Sequence, residues 1–452
     1  MIVMKFGGTS VEDATAIRRL IEIVKRELPK QILVVVSACS GVTNELIRCA
    51  HTVKNGSESD AMDILEVLHK RHLKISGELL KKNRLDIVTK KIDEYFSEIK
   101  NIVRGVNLLG ELTSRTLDLI TSYGERLSSL IIHEALEKSE ISSNLVDARK
   151  VMITDSSFGT AKPLFDKIEE RIKKYIIPVL KNNHVVITQG FIGATEDRIT
   201  TTIGRGGSDY SASIFGSLLS AETIQIWTDV DGMMSADPRI VPESKLITTL
   251  SFNEASELAY FGAKVLHPNT ILPAVQNNIP VKILNSRRPE VQGTLILQST
   301  ESDNKSVVKS IASKKGIIVI NVASSRMFLA HGFLAKLFSI FADHKKSVDV
   351  VSTSEVSVSL TIDNDKDLEQ IRKDLENIGE IRIERKKGIV CIVGEGMKKT
   401  PGIAAKTFNA LAKADINIEM ISEGASEINL TLVVDEEDVD KAVRVLHNEY
   451  FS

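Results

Sequence analysis

Ile32-Leu33-Val34-Val35-Val36 is an unbroken apolar run. A run of that kind reads as a strand covered on both faces, and such strands belong to parallel sheets flanked by helices. That requirement organises the residues on either side. Ile2 to Phe6 reads as a second short buried strand. Between the two, Ala14, Ile17, Leu20, Ile21 and Val24 recur at helical spacing, which predicts an amphipathic helix over 12–27. Strand, turn, helix and strand make a βαβ unit. Its turns lie at the carboxyl ends of the strands, the edge where open α/β sheets bind ligands. Further strands are expected at His184 to Thr188 and Glu222 to Trp227. Residues 57–106 carry charges and leucines at helical spacing with no strand signal. They are expected as a helical insertion that covers the site or makes a subunit contact.

The turns after these strands carry the candidate chemistry. In Met4-Lys5-Phe6-Gly7-Gly8-Thr9-Ser10 a lysine ends the strand, paired glycines allow close backbone approach, and a hydroxyl follows where a helix is expected from Val11. Such a turn is an anion site, with Lys5 adding a formal charge suited to a phosphoryl group, or simply a tight connection. It is not a Walker A loop, because the lysine precedes the glycines. Ser37-Ala38-Cys39-Ser40-Gly41-Val42-Thr43-Asn44 is a second small-residue turn. Glu125, in Ser122-Tyr123-Gly124-Glu125-Arg126, is either a first-turn acid complementing a helix dipole or a holder of a substrate ammonium. Thr202-Ile203-Gly204-Arg205-Gly206-Gly207-Ser208-Asp209 sets Arg205, a planar fork for a carboxylate or phosphate, and Asp209 around a helix start. Thr228-Asp229-Val230-Asp231-Gly232 and Asp237-Pro238-Arg239 suit a nucleotide or form plain turns. Lys264 lies beside a glycine, and His267 precedes a proline with no histidine partner at metal spacing.

Composition excludes several classes. The chain has 452 residues, enough for about three domains, with 58 basic and 60 acidic side chains and a formal charge of −2. A nucleic-acid-binding face leaves a basic excess that is missing here. No apolar run approaches the roughly 18 residues of a membrane span. The chain enters a strand at once, so no export leader is expected. Cys39, Cys49 and Cys391 lack CxxC spacing and fit buried, reduced thiols of a cytosolic protein.

From residue 316 a new pattern begins and is then repeated. Gly316 to Asn321, Val348 to Val351, Val356 to Ile362 and Ile381 to Glu384 read as strands, with helices over Gly332 to His344 and Leu368 to Ile378. That is βαββαβ. From Gly388 the order restarts: Ile389 to Val393, Ile416 to Ile421 and Ile428 to Val434 read as strands, with helices at Gly402 to Ala414 and Val439 to Tyr450. The second copy lacks a last strand. Val307 to Ser313 is a spare strand ahead of the first copy, so it is expected to complete the second, with the first module inserted into it. Paired modules of this kind read as a small-ligand sensor or as a dimerisation platform.

With these motifs in order, Lys5–Val11, Ser37–Asn44, Gly124–Arg126, Gln189–Gly193, Gly204–Asp209, Trp227–Arg239 and Phe261–Pro268, the chain resembles the aspartate kinases over essentially its full length. The fold this implies is α/β: an amino-acid kinase-like three-layer αβα sandwich, followed by two ferredoxin-like βαββαβ ACT modules. The domains expected are a catalytic domain over 1–298, a linker over 299–305, a first ACT module over 314–386, and a second built from 306–313 plus 387–452. The resemblance implies transfer of the ATP γ-phosphoryl to the side-chain carboxylate of L-aspartate, with Mg2+ held mainly through the nucleotide phosphates. It assigns Lys5, Gly7, Gly8 and Asp209 to catalysis. Ser37, Thr43, Glu125, Phe191, Arg205 and Ser208 are assigned to aspartate, and Lys5, Gly8, Ser10, Thr228, Asp229, Arg239 and Lys264 to the nucleotide. Met233-Met234 departs from the aromatic that relatives often carry. Within the ACT segment it assigns Met327, Phe333, Leu334, Ser347, Val348, Asp349, Thr353, Ser354 and Glu355 to an allosteric effector, lysine, with threonine as the alternative. Homodimers through the ACT modules, and dimers of dimers, are implied as well. The competing readings are a kinase for another acidic amino acid and a non-catalytic amino-acid sensor.

Overall fold

The computed structural model describes residues 1–182, 185–261, 268–299, 307–324, 327, 331–397, 400–423 and 428–452. The chain divides into two compact units. The first is Met1–Gly232 with Leu266–Gln298; the second is Met233–Val265 with Ser299–Ser452.

The strands of the first unit are β1 (Ile2–Phe6), β2 (Ile32–Val36), β3 (Ser143–Leu145), β4 (Val185–Gln189), β5 (Ile192–Ala194), β6 (Thr200–Thr202) and β7 (Thr223–Thr228). After β8 (Thr249–Ser251), which belongs to the second unit, come β9 (Val281–Asn285) and β10 (Thr294–Leu297). Within this unit the sheet runs β3-β4-β2-β1-β7-β9-β10. All neighbours are parallel except β9 and β10. The β5–β6 hairpin stands apart. Every residue of β1, β2 and β4 is buried, as a strand with both faces covered requires.

Alternation along β1 sorts the two helical layers. Ile2, Met4 and Phe6 join one large apolar cluster with the helices Ala14–Glu27, Val42–Lys54, Glu58–Leu79, Lys82–Leu109 and Tyr123–Lys138. Val3 points the other way, toward Gly216 in the helix Gly207–Leu218. Lys5 shares the Val3 face, so the sheet aims it at that helix. The expected insertion is the pair Glu58–Leu79 and Lys82–Leu109, integral to the first layer. Arg71 on it donates to the backbone oxygens of Ser40, at 2.8 Å, and Glu12, at 3.0 Å. It braces the second turn from behind.

In the second unit β11 (Ser310–Ala323), β12 (Val351–Thr353), β13 (Ser357–Ile362), β14 (Glu380–Val393), β15 (Met420–Glu423) and β16 (Asn429–Asp435) form one sheet in the order β12-β13-β11-β14-β16-β15. Ser310 to Lys315 pair antiparallel with Val393 to Gly388, closing the second repeat; Val319 to Ala323 pair with Glu384 to Glu380 in the first. The sequence reading has two short strands at each of these places, and the structure has one long strand crossing both repeats. Polar, glycine-containing joints such as Lys314-Lys315-Gly316 imitate a turn in the sequence. Here they bulge, with register shifts between Lys315 and Val319 and positive φ at Gly316 (76°) and Lys386 (58°). Each repeat has its own apolar core beneath helices Phe333–Asp343 and Leu368–Glu376, or Ile403–Lys413 and Val439–Phe451.

The boundary expected at 298 differs as well. Residues 233–265, with the helix Phe252–Phe261, group with the C-terminal unit. Their side chains are bonded there: Glu254 accepts from the backbone N–H of Glu395 at 2.8 Å, Asn429 donates to Glu257, and Tyr260 donates to Asp349. Among the described residues no helix is long and apolar enough to cross a membrane.

Candidate active site

The carboxyl ends of β1, β2, β4 and β7 open onto a cleft of about 700 Å³ in the first unit. Of the expected site residues it is lined by Lys5, Gly7, Gly8, Ser37, Thr43, Glu125, Phe191, Arg205, Ser208, Asp209, Thr228 and Asp229. Three separate turns and two helix starts converge there because parallel strands all end at one edge.

Lys5 is buried, and its Nζ stands 2.6 Å from Asp209 Oδ1, an ion pair without the alignment of a directed hydrogen bond. The pair joins β1 to the first turn of the helix Gly207–Leu218, with both side chains largely shielded from solvent. Arg205, on the preceding turn, is exposed on the cleft wall; among the described residues no carboxylate is paired with it.

Glu125 belongs to the first turn of the helix Tyr123–Lys138, which packs tightly on the second turn. A Cβ on Gly124 would lie 2.7 Å from the Ala38 Cβ, so only glycine admits this approach. The approach delivers Glu125 Oε1 to the backbone N–H of Ala38 at 3.1 Å, while Oε2 is buried without a hydrogen-bond partner. Burial pushes this carboxyl up to about 8, against the smaller opposing effect of the Ala38 N–H. A solvated first-turn acid would show neither feature. Without a counter-charge such a carboxyl is held largely protonated at neutral pH, and a cation in the cleft is what would favour its ionised form.

Phe191 holds a positive φ of 64°, its N–H bonded to Ser211 Oγ at 3.1 Å. Gly190 before it presses on the helix start. A Cβ there would lie 2.7 Å from Ser208 Cα, a backbone atom that cannot step aside.

Some expectations need correction. No helix starts at Val11. After Gly8–Ser10, a single 3-10 turn, the helix begins at Ala14, where the Asp13 side chain caps it by accepting from the Ala16 N–H at 2.8 Å. The positive end of that helix is already satisfied, and Gly7 N–H is spent on the Trp227 carbonyl at 3.0 Å. The charge at the first turn is therefore that of Lys5. Ser10 is buried beneath the cleft wall; its hydroxyl meets Ser286 Oγ at 2.8 Å and the Trp227 carbonyl at 3.2 Å, holding the turn. Arg239 belongs to the second unit, exposed and folded back on Asp237 at 2.6 Å. Met233 is buried, its carbonyl accepting from Ile247 N–H. Lys264 and His267 lie outside the described residues.

Cys39, also on the wall, is a buried thiol pushed up to about 12 by desolvation, so it is inert as a nucleophile. Ser40 and Asn44, members of the second turn, also line the cleft, with Ile47 on the helix Val42–Lys54 that follows it. Asp118 and Arg71, which support the walls, had no signal in the sequence. Among the described residues no cluster of three or more His, Cys, Asp or Glu could hold a metal ion.

The expected effector residues gather in the first repeat. Met327 and Phe333 pack on its core, Leu334 is partly exposed, and Ser347, Thr353, Ser354 and Glu355 are exposed. Val348 is half-buried against that core, and Ser354 Oγ is bonded to Ser357. The Asp349 side chain is buried, with one oxygen on Tyr260 and the other on Lys314.

Comparison with known proteins agrees with this architecture. Residues 1–285 match the amino acid kinase family and residues 390–450 an ACT domain. Lysine-sensitive aspartokinase 3 of Escherichia coli is 37% identical over 464 residues, covering 100% of this chain and 99% of its own. The structure of E. coli aspartokinase III in complex with aspartate and ADP superposes with a TM-score of 0.85 at 35% identity, covering 100% of both chains. Its complex with lysine and aspartate gives 0.83 at the same identity and coverage. A chain matched from end to end by aspartokinases, with the amino acid kinase family over its first 285 residues, belongs to the aspartokinase family.

Proposed function

We propose that the cleft transfers the γ-phosphoryl of ATP to the side-chain carboxylate of L-aspartate, giving 4-phospho-L-aspartate and ADP. The observation that carries this reading is the orphaned oxygen of Glu125 on the same wall as the Lys5–Asp209 pair. The first asks for an ammonium group and the second offers a cation to phosphates. Arg205 suits the α-carboxylate, with Ser37, Thr43, Phe191 and Ser208 around the amino acid.

The acceptor carboxylate is ionised at neutral pH, so no general base is required. One of its oxygens forms the new bond to the γ-phosphorus while the bond to the β–γ bridging oxygen breaks, and ADP departs with that electron pair. Lys5, held by Asp209, neutralises charge on the transferring group; Gly7 and Gly8 let the phosphates approach the β1 turn, and Thr228 and Asp229 flank the nucleotide. The lysine and the small-residue turn fit a polyphosphate, and Mg2+ held through the nucleotide phosphates would supply further charge neutralisation there. The buried, unpaired thiols accord with a cytosolic setting. Lysine as inhibitor at the first ACT repeat is supported by the acids there and by the lysine complex of the E. coli relative. Dimers through the ACT modules, paired into tetramers, belong to the same reading.

The test is ATP turnover with L-aspartate, trapping the acyl phosphate with hydroxylamine, with lysine and threonine added in turn. Hydroxamate that lysine suppresses is the expected result. Product only with another acidic amino acid would overturn the substrate, and suppression by threonine alone would overturn the effector.

A further inference from the structure

Asp118 lies on the helix Ser114–Thr121, is 2% exposed, and is absent from the cleft wall. Its carboxylate nonetheless takes three hydrogen bonds. Oδ2 accepts from the backbone N–H of Gly159 at 2.9 Å and of Thr202 at 3.0 Å, and Oδ1 accepts from Thr202 Oγ1 at 2.7 Å. No cation is bonded to it among the described residues, and burial raises its pKa. Keeping a desolvated carboxyl without a counter-charge is unfavourable unless its hydrogen bonds hold something that matters.

What they hold is the entry to the Arg205 turn. Thr202 is the last residue of β6, and the chain then runs Ile203-Gly204-Arg205-Gly206-Gly207 into the helix. Gly204 and Gly206 sit at φ of 82° and 70°, a backbone that leaves Arg205 wherever the two ends of the turn are fixed. The far end is fixed by the helix, where Gly207 N–H bonds the Gly204 carbonyl at 3.0 Å. The near end is fixed by Thr202, whose N–H and hydroxyl both go to Asp118. The other tie of Asp118, at Gly159, braces the strip that flanks Gly204: a Cβ on Gly204 would lie 3.5 Å from the Gly159 carbonyl, and the Thr202 carbonyl accepts from Ala161 N–H at 2.9 Å.

We infer that Asp118 is a positioning residue for the amino-acid substrate, acting through Thr202 to set where the Arg205 guanidinium meets the α-carboxylate. The inference rests on the reading of Arg205 given above. Asp118→Ala strands three donors, two of them buried, and loosens the near end of the turn, leaving it held by the Thr202 carbonyl and by the Ile203 N–H on the Phe191 carbonyl. An arginine displaced by an ångström is enough to lose about tenfold or more in binding a fixed carboxylate. The nucleotide wall, built from β1 and β7, is untouched.

The experiment is steady-state kinetics on the full chain for Asp118→Ala, Asp118→Asn, Thr202→Val and Arg205→Ala, varying aspartate and ATP separately. Asp118→Ala raises KM for aspartate about tenfold while KM for ATP stays within twofold. Asp118→Asn, whose amide can accept from both N–H groups and donate to Thr202 Oγ1, restores most of the loss. Thr202→Val, which removes one bond without changing shape, raises KM for aspartate about threefold and keeps the assay informative should Asp118→Ala fail to fold. In the Asp118→Ala/Arg205→Ala double variant the two effects do not add. If Arg205→Ala raises KM for aspartate and the Asp118 and Thr202 variants do not, the inference is overturned while the reading of Arg205 survives. If Arg205→Ala leaves KM for aspartate unchanged, both fall together. Equal losses in both KM values with no rescue by asparagine would reduce Asp118 to a general stabiliser.

Discussion

Lys314 stands 3.1 Å from one oxygen of Asp349 while Tyr260 donates to the other at 2.6 Å, so a carboxylate suited to a cationic effector is already neutralised by the chain's own lysine. Asp363 lies 3.6 Å from the same ammonium. On the proposed reading, a lysine effector would have to compete with this internal one. Lys314→Met is expected to lower the lysine concentration for half-inhibition about fivefold, the range of a partly exposed ion pair, with the uninhibited rate unchanged. Inhibition curves on the purified variant check it, and an unchanged midpoint would remove Asp349 from the effector site. Asp349→Asn is expected to abolish the difference between the two.

If Glu125 holds the substrate ammonium as proposed, aspartate binding depends on pH. With its carboxyl near 8 in the folded chain and near 4.5 when unfolded, the folded chain holds an extra proton between those values. Stability conferred by that group is therefore full below about pH 4.5 and is lost as pH rises through 8. Binding an ammonium requires the ionised form, so aspartate binding releases a proton at neutral pH. KM for aspartate should fall as pH rises from 6 to 8, by up to about tenfold per unit. Glu125→Gln should flatten that slope while weakening binding. Calorimetry in buffers of different ionisation enthalpy reads the released proton directly.

Asp209→Asn keeps the shape of the Lys5 partner and removes its charge. The lysine then faces the transferring phosphoryl without a fixed counter-ion. The expected loss is in kcat, on the order of a hundredfold, with KM for aspartate little changed. Single-turnover hydroxamate formation separates this from slowed product release.

Gly190→Ala would place a methyl 2.7 Å from the backbone of Ser208. The helix start carrying Ser208 and Asp209 must move, so kcat/KM should drop about a hundredfold with the fold retained. Circular dichroism on the same sample distinguishes that from unfolding.

Much of this site could be read in the chain because parallel strands deliver their turns to one edge. Once Ile2–Phe6 and Ile32–Val36 are strands, the residues following them must meet. What escaped reading depends on long-range partners. The contact of the Ser10 hydroxyl with Ser286, far along the chain, is one of these. The helix start was misread at Val11 although Asp13 is a capping residue in plain sight; the glycine pair was the louder signal. Asp118 could not have been found, since nothing in Leu117-Asp118-Leu119 says that Thr202 and Gly159 lie against it. The grouping of residues 233–265 with the second unit is equally hidden, because it rests on long-range partners: Ala236 and Val241 in the core of the second repeat, and the hydrogen bonds of Glu254, Glu257 and Tyr260.

The two long strands of the second unit, Ser310–Ala323 and Glu380–Val393, have one further consequence. Each belongs to both repeats, so excising the inserted first repeat at its joints leaves the second with only the halves of these strands on its own side. The pair behaves as a single beam. A twist imposed at the joint, where Lys314 pairs with Ile389, is shared by backbone hydrogen bonds with the end that carries Glu395 and Asn429. Two repeats joined along continuous strands share any change in the twist of either strand.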